Sequence, residues 1–248
     1  MIEVRDLYKA FDGQQVLRGV SLTISQGRIT AVIGRSGTGK SVLLKHLIRL
    51  LRPDRGQVLV DGVDVVPLRG RALDRVRAKF GVLFQGGALF DSLTVFENVA
   101  FPLREKTRLP EPEVADRVRE RLEAVGLADM GHKFPAEISG GMRKRVALAR
   151  ALVTDPQIVL FDEPTTGLDP IMLNAIHHLI ADTQRRFGFT GVVVSHDVPD
   201  VFEIAHQVAM LHEGAIVAAG PPDQVLRSED PRVHQFITGR AEGPIRPS

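Results

Sequence analysis

The run Gly34-Arg35-Ser36-Gly37-Thr38-Gly39-Lys40-Ser41 constrains this chain more than any other feature. It fits G-x-x-x-x-G-K-[ST], and its flanks fit as well. Before it, residues 29–33 form an apolar run of strand character. After it, Leu43, Leu44, Leu47 and Leu51 recur at helical spacing, which predicts a helix over 41–51 stopped by Pro53. Strand, glycine loop and helix in that order aim backbone N–H groups and a helix dipole at one point, where phosphate oxygens bind. Lys40 is expected to neutralise β/γ-phosphate charge and Ser41 to ligand Mg²⁺. The bland alternative is a glycine-rich turn, and the flanking elements argue against it.

The rest of the chain reads as α/β. Residues 2–4, 16–24, 28–33 and 57–60 have strand character, the last closed by the turn signal Asp61-Gly62. Residues 80–84 form another apolar run. From about 90 to 152 helical patterns dominate. In 113–125, Val114, Val118, Leu122 and Val125 make one face and Gly126 supplies a stop. Strands return at 158–161 and 192–194 as uninterrupted apolar runs, expected of strands buried on both faces. A helix over 171–187 lies between them. Residues 208–211 and 215–218 flank Glu213-Gly214 as a hairpin.

Composition matters here for what it excludes. With no cysteine, disulfide, thiolate and Cys-zinc chemistry are excluded. The 32 basic and 30 acidic residues leave a net charge of +2, so there is no basic field of the kind that marks a dedicated nucleic-acid binder. No 18 apolar residues run together, so no membrane-spanning helix is expected. The N-terminal residues carry charges every few positions, unlike a secretory signal.

Further chemistry sits at strand tips. Residues 158–163, Ile-Val-Leu-Phe-Asp-Glu, are an apolar strand ending in two acids. Asp162 is expected in the Mg²⁺ shell, and Glu163 is expected to orient or deprotonate the attacking water. His196 follows the strand-like Val192-Val193-Val194-Ser195 and could touch a γ-phosphate. The other seven histidines read as structural or exposed. Ser139-Gly140-Gly141-Met142 looks like a capped helix start with exposed N–H groups, a second anion-binding terminus or a plain cap. The bases Arg143, Lys144, Arg145 and Arg150 after it could likewise be an ordinary solvated face.

In their order, these motifs resemble the nucleotide-binding domain of ABC transporters over essentially the whole length. The resemblance implies an α/β P-loop NTPase with a RecA-like core, an N-terminal antiparallel β portion and a helical insertion. The ATPase domain would cover about 1–240, with core segments at about 1–89 and 156–220, a helical subdomain at about 90–155, and a C-terminal tail at 221–248. The cofactors implied are ATP and Mg²⁺. The loop 34–41 with Val42 behind it would cradle phosphate. Phe11 would stack on adenine, and Gln85 would sense Mg²⁺ and meet the transporter interface. Ser139, Gly140, Gly141 and Met142 would be the family signature, Asp169 would lie in the loop meeting a second subunit, and His196 would be the switch histidine. Two copies would pack head-to-tail, each ATP lying between the phosphate loop of one and the Ser139 helix start of the other.

A narrower resemblance rests on Phe84-Gln85-Gly86-Gly87-Ala88-Leu89-Phe90, Pro102-Leu103-Arg104-Glu105, Ser195-His196-Asp197-Val198-Pro199 and Asp230-Pro231-Arg232-Val233. These are similar to the ATPases of Mla phospholipid systems, as is Met142 where the broad family has glutamine. The resemblance implies a permease of the MlaE type, a periplasmic MCE-type lipid-binding protein and a small STAS-domain regulator. It implies a peripheral place on the cytoplasmic face of the inner membrane, reached only through partners. Three rivals are an ATPase for another MCE-type lipid or sterol, a small-molecule importer, and a non-transport ABC protein acting on DNA or ribosomes. The last usually carries long coiled coils or paired cassettes, neither of which is present.

Overall fold

A computed structural model of the chain describes residues 1–246. Pro247 and Ser248, the end of the expected tail, lie outside the described residues. Contacts group the chain into two compact units, one of residues 1–78 with those from 190 onward, the other Lys79–Phe189. These borders follow packing, whereas the expected segment borders near 89 and 156 follow pattern.

The first unit opens with β1 (Ile2–Phe11) and β2 (Gln14–Ile24), an antiparallel pair joined by Asp12-Gly13. Both turn residues have positive φ, 49° and 81°, the backbone that a tight two-residue hairpin requires. Next come β3 (Ile29–Ile33), α1 (Lys40–Leu47), β4 (Arg55–Val60), β5 (Val63–Asp64) and α2 (Gly70–Arg77). The strands of the antiparallel sheet run β2-β1-β4-β5. Helix α1 is shorter than its leucine spacing predicts. Leu43, Leu44 and Leu47 are buried, but Arg49 turns left-handed at φ 57° and the Leu50 N–H returns to the Lys45 carbonyl at 2.8 Å. This Schellman closure ends the helix before Leu51 and well before Pro53. Helix α2 has no sequence-based counterpart. It is eight residues long and buries only Leu73, so its apolar face of Ala72, Leu73 and Val76 is too short to stand out as a period.

The second unit contains β6 (Phe80–Leu83), α3 (Val95–Lys106), α4 (Glu111–Ala124), α5 (Gly140–Leu152), β7 (Ile158–Asp162) and α6 (Pro170–Phe187). Strands β6 and β7 are parallel, with Leu83 opposite Phe161. Thr94 starts α3 with a capping box: its hydroxyl accepts from the Glu97 N–H while the Glu97 carboxylate accepts from the Thr94 N–H. The expected face Val114, Val118, Leu122 and Val125 is buried, each side chain contributing roughly 1.5–3 kcal/mol. Helices α3, α4 and α5 pack against one another.

The first unit resumes with β8 (Thr190–Ser195), β9 (Gln207–His212), β10 (Ala215–Gly220), α7 (Pro222–Leu226) and α8 (Pro231–Thr238). Strand β3 pairs in parallel with β8 on one side and β9 on the other, so Ile33 lies opposite both Ser195 and Met210. All five β3 residues are buried. The segments that follow β3 and β8 therefore leave the same carboxyl edge, where open α/β sheets bind ligands. The stretch containing Asp230 is a helix start. The Asp230 carboxylate caps α8 and is held at a pKa of about 2, chiefly by its hydrogen bond from the Arg232 guanidinium. Among the described residues no helix is long and apolar enough to cross a membrane.

Candidate active site

In the first unit, three glycines shape the loop after β3. A Cβ on Gly34 would collide with the Leu211 carbonyl, and Gly37 and Gly39 sit at φ 80° and 98°. Gly39 is the left-handed N-cap of α1 and presses against Val16 and Leu17. Lys40 is only 3% exposed, and its ammonium donates to the Gly34 and Arg35 carbonyls at 2.8 Å each. The Thr38 hydroxyl donates to the same Arg35 carbonyl at 2.9 Å. Ser36 and Gly37 are exposed, and Ser41 and Val42 are half-buried. The loop borders a depression of about 630 Å³, which Val16, Ser36, Gly37 and Thr38 help to line. Phe11 ends β1 with its ring 39% exposed, and the Lys9 ammonium lies 5.2 Å from the ring centroid. His196 follows β8, exposed, with Nε2 3.8 Å from Asp197 Oδ1.

In the second unit, the β6–β7 register brings two expected residues together. Asp162 is the last residue of β7, 8% exposed, and Glu163 follows at φ 49°. The Gln85 side-chain amide donates to Glu163 Oε2 at 3.2 Å, and the Thr166 hydroxyl donates to the same oxygen at 3.1 Å. Ser139 caps α5, its hydroxyl accepting from the Met142 N–H at 3.2 Å, with Gly140 and Gly141 in the first turn. Asp169 caps α6 by accepting from the Ile171 and Met172 N–H groups at 3.0 Å.

Other groups support this half without a signal in the simple pattern. The Arg150 guanidinium donates to the Gly87 and Ala88 carbonyls at 2.6 and 2.8 Å, bracing the turn just after Gln85. Lys144 is buried, and desolvation pushes its pKa down while the Glu163 charge opposes that shift. The basic face expected after the signature is thus only partly solvated. Eight of the thirteen α5 residues are buried, Val146, Ala147, Leu148 and Ala149 in succession, and that uninterrupted apolar run was the readable signal that the helix lies inside and its bases need internal partners. Of the histidines, His46 and His177 are buried in helices, and His206 Nδ1 accepts from the Ile29 N–H.

Each expected Mg²⁺ ligand is of the type that ion takes: the Ser41 hydroxyl in the first unit, and the Asp162 carboxylate and Gln85 amide in the second, all offer hard oxygen. Among the described residues no three His, Cys, Asp or Glu side chains form a metal cluster. Mg²⁺ held mainly by water, substrate phosphates and one carboxylate needs none.

Comparison with known proteins adds to this geometry. The profile of the ABC transporter family matches residues 17–166. The chain is 47% identical to a probable ribonucleotide transport ATP-binding protein, mkl, of Mycobacterium leprae, covering 98% of this chain and 70% of that protein. It is 43% identical to the intermembrane phospholipid transport system ATP-binding protein MlaF of Haemophilus influenzae, covering 99% of this chain and 93% of that one. Among solved structures, the dimeric ATP-binding cassette MJ0796 bound to ADP and Pi matches with a TM-score of 0.81 at 31% identity, covering 90% of this chain and 99% of that one. CbiO1 of Clostridium perfringens, part of the cbiONQ ABC transporter complex, matches with a TM-score of 0.84 at 30% identity, covering 96% and 98%.

Proposed function

Because the chain belongs to the ABC transporter family, as an ATP-hydrolysing cassette with that family's α/β fold, we propose that it drives phospholipid movement between the membranes of a bacterial envelope. The observation that carries this reading is the 43% identity to Haemophilus influenzae MlaF across 93% of that protein. The stretches around Gln85, Pro102, His196 and Asp230 support it. The 47% identity to mkl, whose name gives ribonucleotide as cargo, supports a rival small-molecule reading, but over only 70% of that protein.

In the proposed mechanism Lys40 and the loop N–H groups of residues 34–42 compensate phosphate charge, and Phe11 stacks on the base. Ser41, Asp162 and Gln85 would hold Mg²⁺, which supplies charge neutralisation at the β- and γ-oxygens. Glu163 takes a proton from the attacking water, its carboxylate oriented by Gln85 and Thr166. His196 contacts the γ-phosphate. Two copies work together. Ser139, Gly140, Gly141 and Met142 of one copy close over the nucleotide held by the other, and the Asp169 loop meets that copy. Ile171, 81% exposed beside Asp169, gives this loop an apolar contact to bury. The cassette sits at the cytoplasmic face of the inner membrane through an MlaE-like permease, with an MCE-type periplasmic protein and a STAS-domain regulator as further partners.

Deleting the gene in its host tests the cargo. Phospholipid exposed on the cell surface and sensitivity to detergent with EDTA are expected to rise. An intact barrier together with lost ribonucleotide uptake would overturn the lipid reading.

A further inference from the structure

The chain does not trail away after α8. Gly239 closes the helix in a left-handed turn, and the following residues double back along it. Gln235, 7% exposed, spends its side-chain amide on that returning strap. Its Nε2 donates to the Arg240 carbonyl at 3.2 Å and the Ile245 carbonyl at 3.0 Å, and its Oε1 accepts from the Ile245 N–H at 2.7 Å. Ile245 is itself buried. A side chain on Gly243 would collide with the Gln235 amide, so the strap fits only with glycine there. These bonds give the strap one conformation and lead it to a single place: the Arg246 carbonyl accepts from Arg35 Nη1 at 2.7 Å. Pro244, Ile245 and Arg246 also wall the depression that the phosphate loop borders.

Arg35 thus faces two ways. Its guanidinium is tied to the strap, and its backbone carbonyl accepts from the Lys40 ammonium and the Thr38 hydroxyl. We propose that the C-terminal strap is a positioning device for the phosphate loop, fixing through Arg35 the carbonyl that aims Lys40. The inference rests on the nucleotide reading of that loop. Preorganisation of this kind stabilises binding by removing conformations the loop would otherwise have to give up. The hydrogen bond acts on the nucleotide only through the loop, so losing it is expected to weaken nucleotide binding by less than the bond's own worth, roughly three- to tenfold.

ADP binding to the purified full chain, measured by calorimetry, tests this against two variants: a truncation after Arg240, and Gly243→Val, which keeps the chain length but evicts the strap. Circular dichroism and thermal melting establish that both fold. Both are expected to raise the Kd by that factor. In an Arg35→Ala background the truncation is expected to add nothing, because the linkage is already cut. Arg35→Lys, which keeps a donor, is expected to restore part of the strap's effect. An unchanged Kd in folded truncation and Gly243→Val proteins would overturn the proposal. So would a truncation effect that persists in Arg35→Ala, or one that vanishes on dilution to monomer, which would seat the strap on a second copy. If the unmodified chain binds no ADP, it is the nucleotide reading itself that fails.

Discussion

Glu163 holds a left-handed backbone, φ 49°, that a β-branched residue would resist, and two neutral donors meet one of its carboxylate oxygens. That combination fixes the orientation of the acid. Replacing it by glutamine keeps the shape and removes the base. Glu163→Gln is expected to bind ATP normally and to hydrolyse it 10²- to 10⁴-fold more slowly. Near-normal turnover by the purified variant would remove Glu163 from the role of base. Met142 is the instructive departure. Its backbone N–H, not its thioether, meets Ser139, and a thioether is only a weak acceptor, so catalysis is expected not to rest on this side chain. Met142→Gln is expected to keep substantial ATPase activity in the assembled transporter, whereas Ser139→Arg blocks closure. The reverse pattern would show that the fourth signature side chain matters. At this scale the sequence is most readable where one residue type is obligatory. Gly34, where a Cβ would strike the Leu211 carbonyl, announces its position, while Arg49 in a left-handed helix stop does not, because arginine carries no expectation of positive φ.

Elements were legible where one apolar face repeats. The α4 stripe and the buried runs of β3, β7 and β8 follow directly from their spacing. Where tertiary bonds take over, pattern fails: α1 stops at a turn that Arg49 secures by donating to the Val66 carbonyl, and α5 buries Lys144 and ties half-buried Arg150 to two carbonyls. Arg150→Met tests the second case. Losing charge-assisted bonds to two carbonyls is expected to destabilise the chain by about 2–3 kcal/mol in urea unfolding. It should also slow ATP hydrolysis more than it weakens ADP binding, because the turn it braces carries Gln85. Equal losses in both would make Arg150 a purely structural residue. Helix α1 carries a pH dependence of its own. His46 Nδ1 donates to the Val42 carbonyl, and burial, aided by the Lys9 charge, lowers its pKa from 6.5. The unfolded chain takes up a proton near pH 6.5 that the folded chain refuses. The stability His46 contributes is therefore present above that pH and lost as pH falls, by no more than about 1.4 kcal/mol per pH unit. His206, lowered in the same direction by burial, adds to the trend. His46→Gln is expected to shrink the difference in urea midpoint between pH 7.5 and pH 5.5. An unchanged difference would place the acid sensitivity elsewhere.

The chain has two glycine-bearing helix starts, Gly39 before α1 and Ser139 before α5, of the kind that binds anions. The proposed head-to-tail pair of copies would use both, and the pairing can be tested genetically without knowing its geometry. Lys40→Ala disables a copy's phosphate loop, and Ser139→Arg disables its signature. Either variant alone spoils both nucleotide sites of a symmetric dimer. Mixed together, they form heterodimers in which one site joins the intact loop of the Ser139→Arg chain to the intact signature of the Lys40→Ala chain, while the other site is doubly impaired. With random pairing half the dimers are mixed and each has one good site of two, so trapping recovers to roughly a quarter of the unmodified level. Placing Glu163→Gln in every chain turns each good site into a stable ATP-bound one, which sedimentation and retained nucleotide both report. Were a site built from one chain alone, no mixture could recover it, and flat nucleotide retention at every mixing ratio would refute the shared-site dimer.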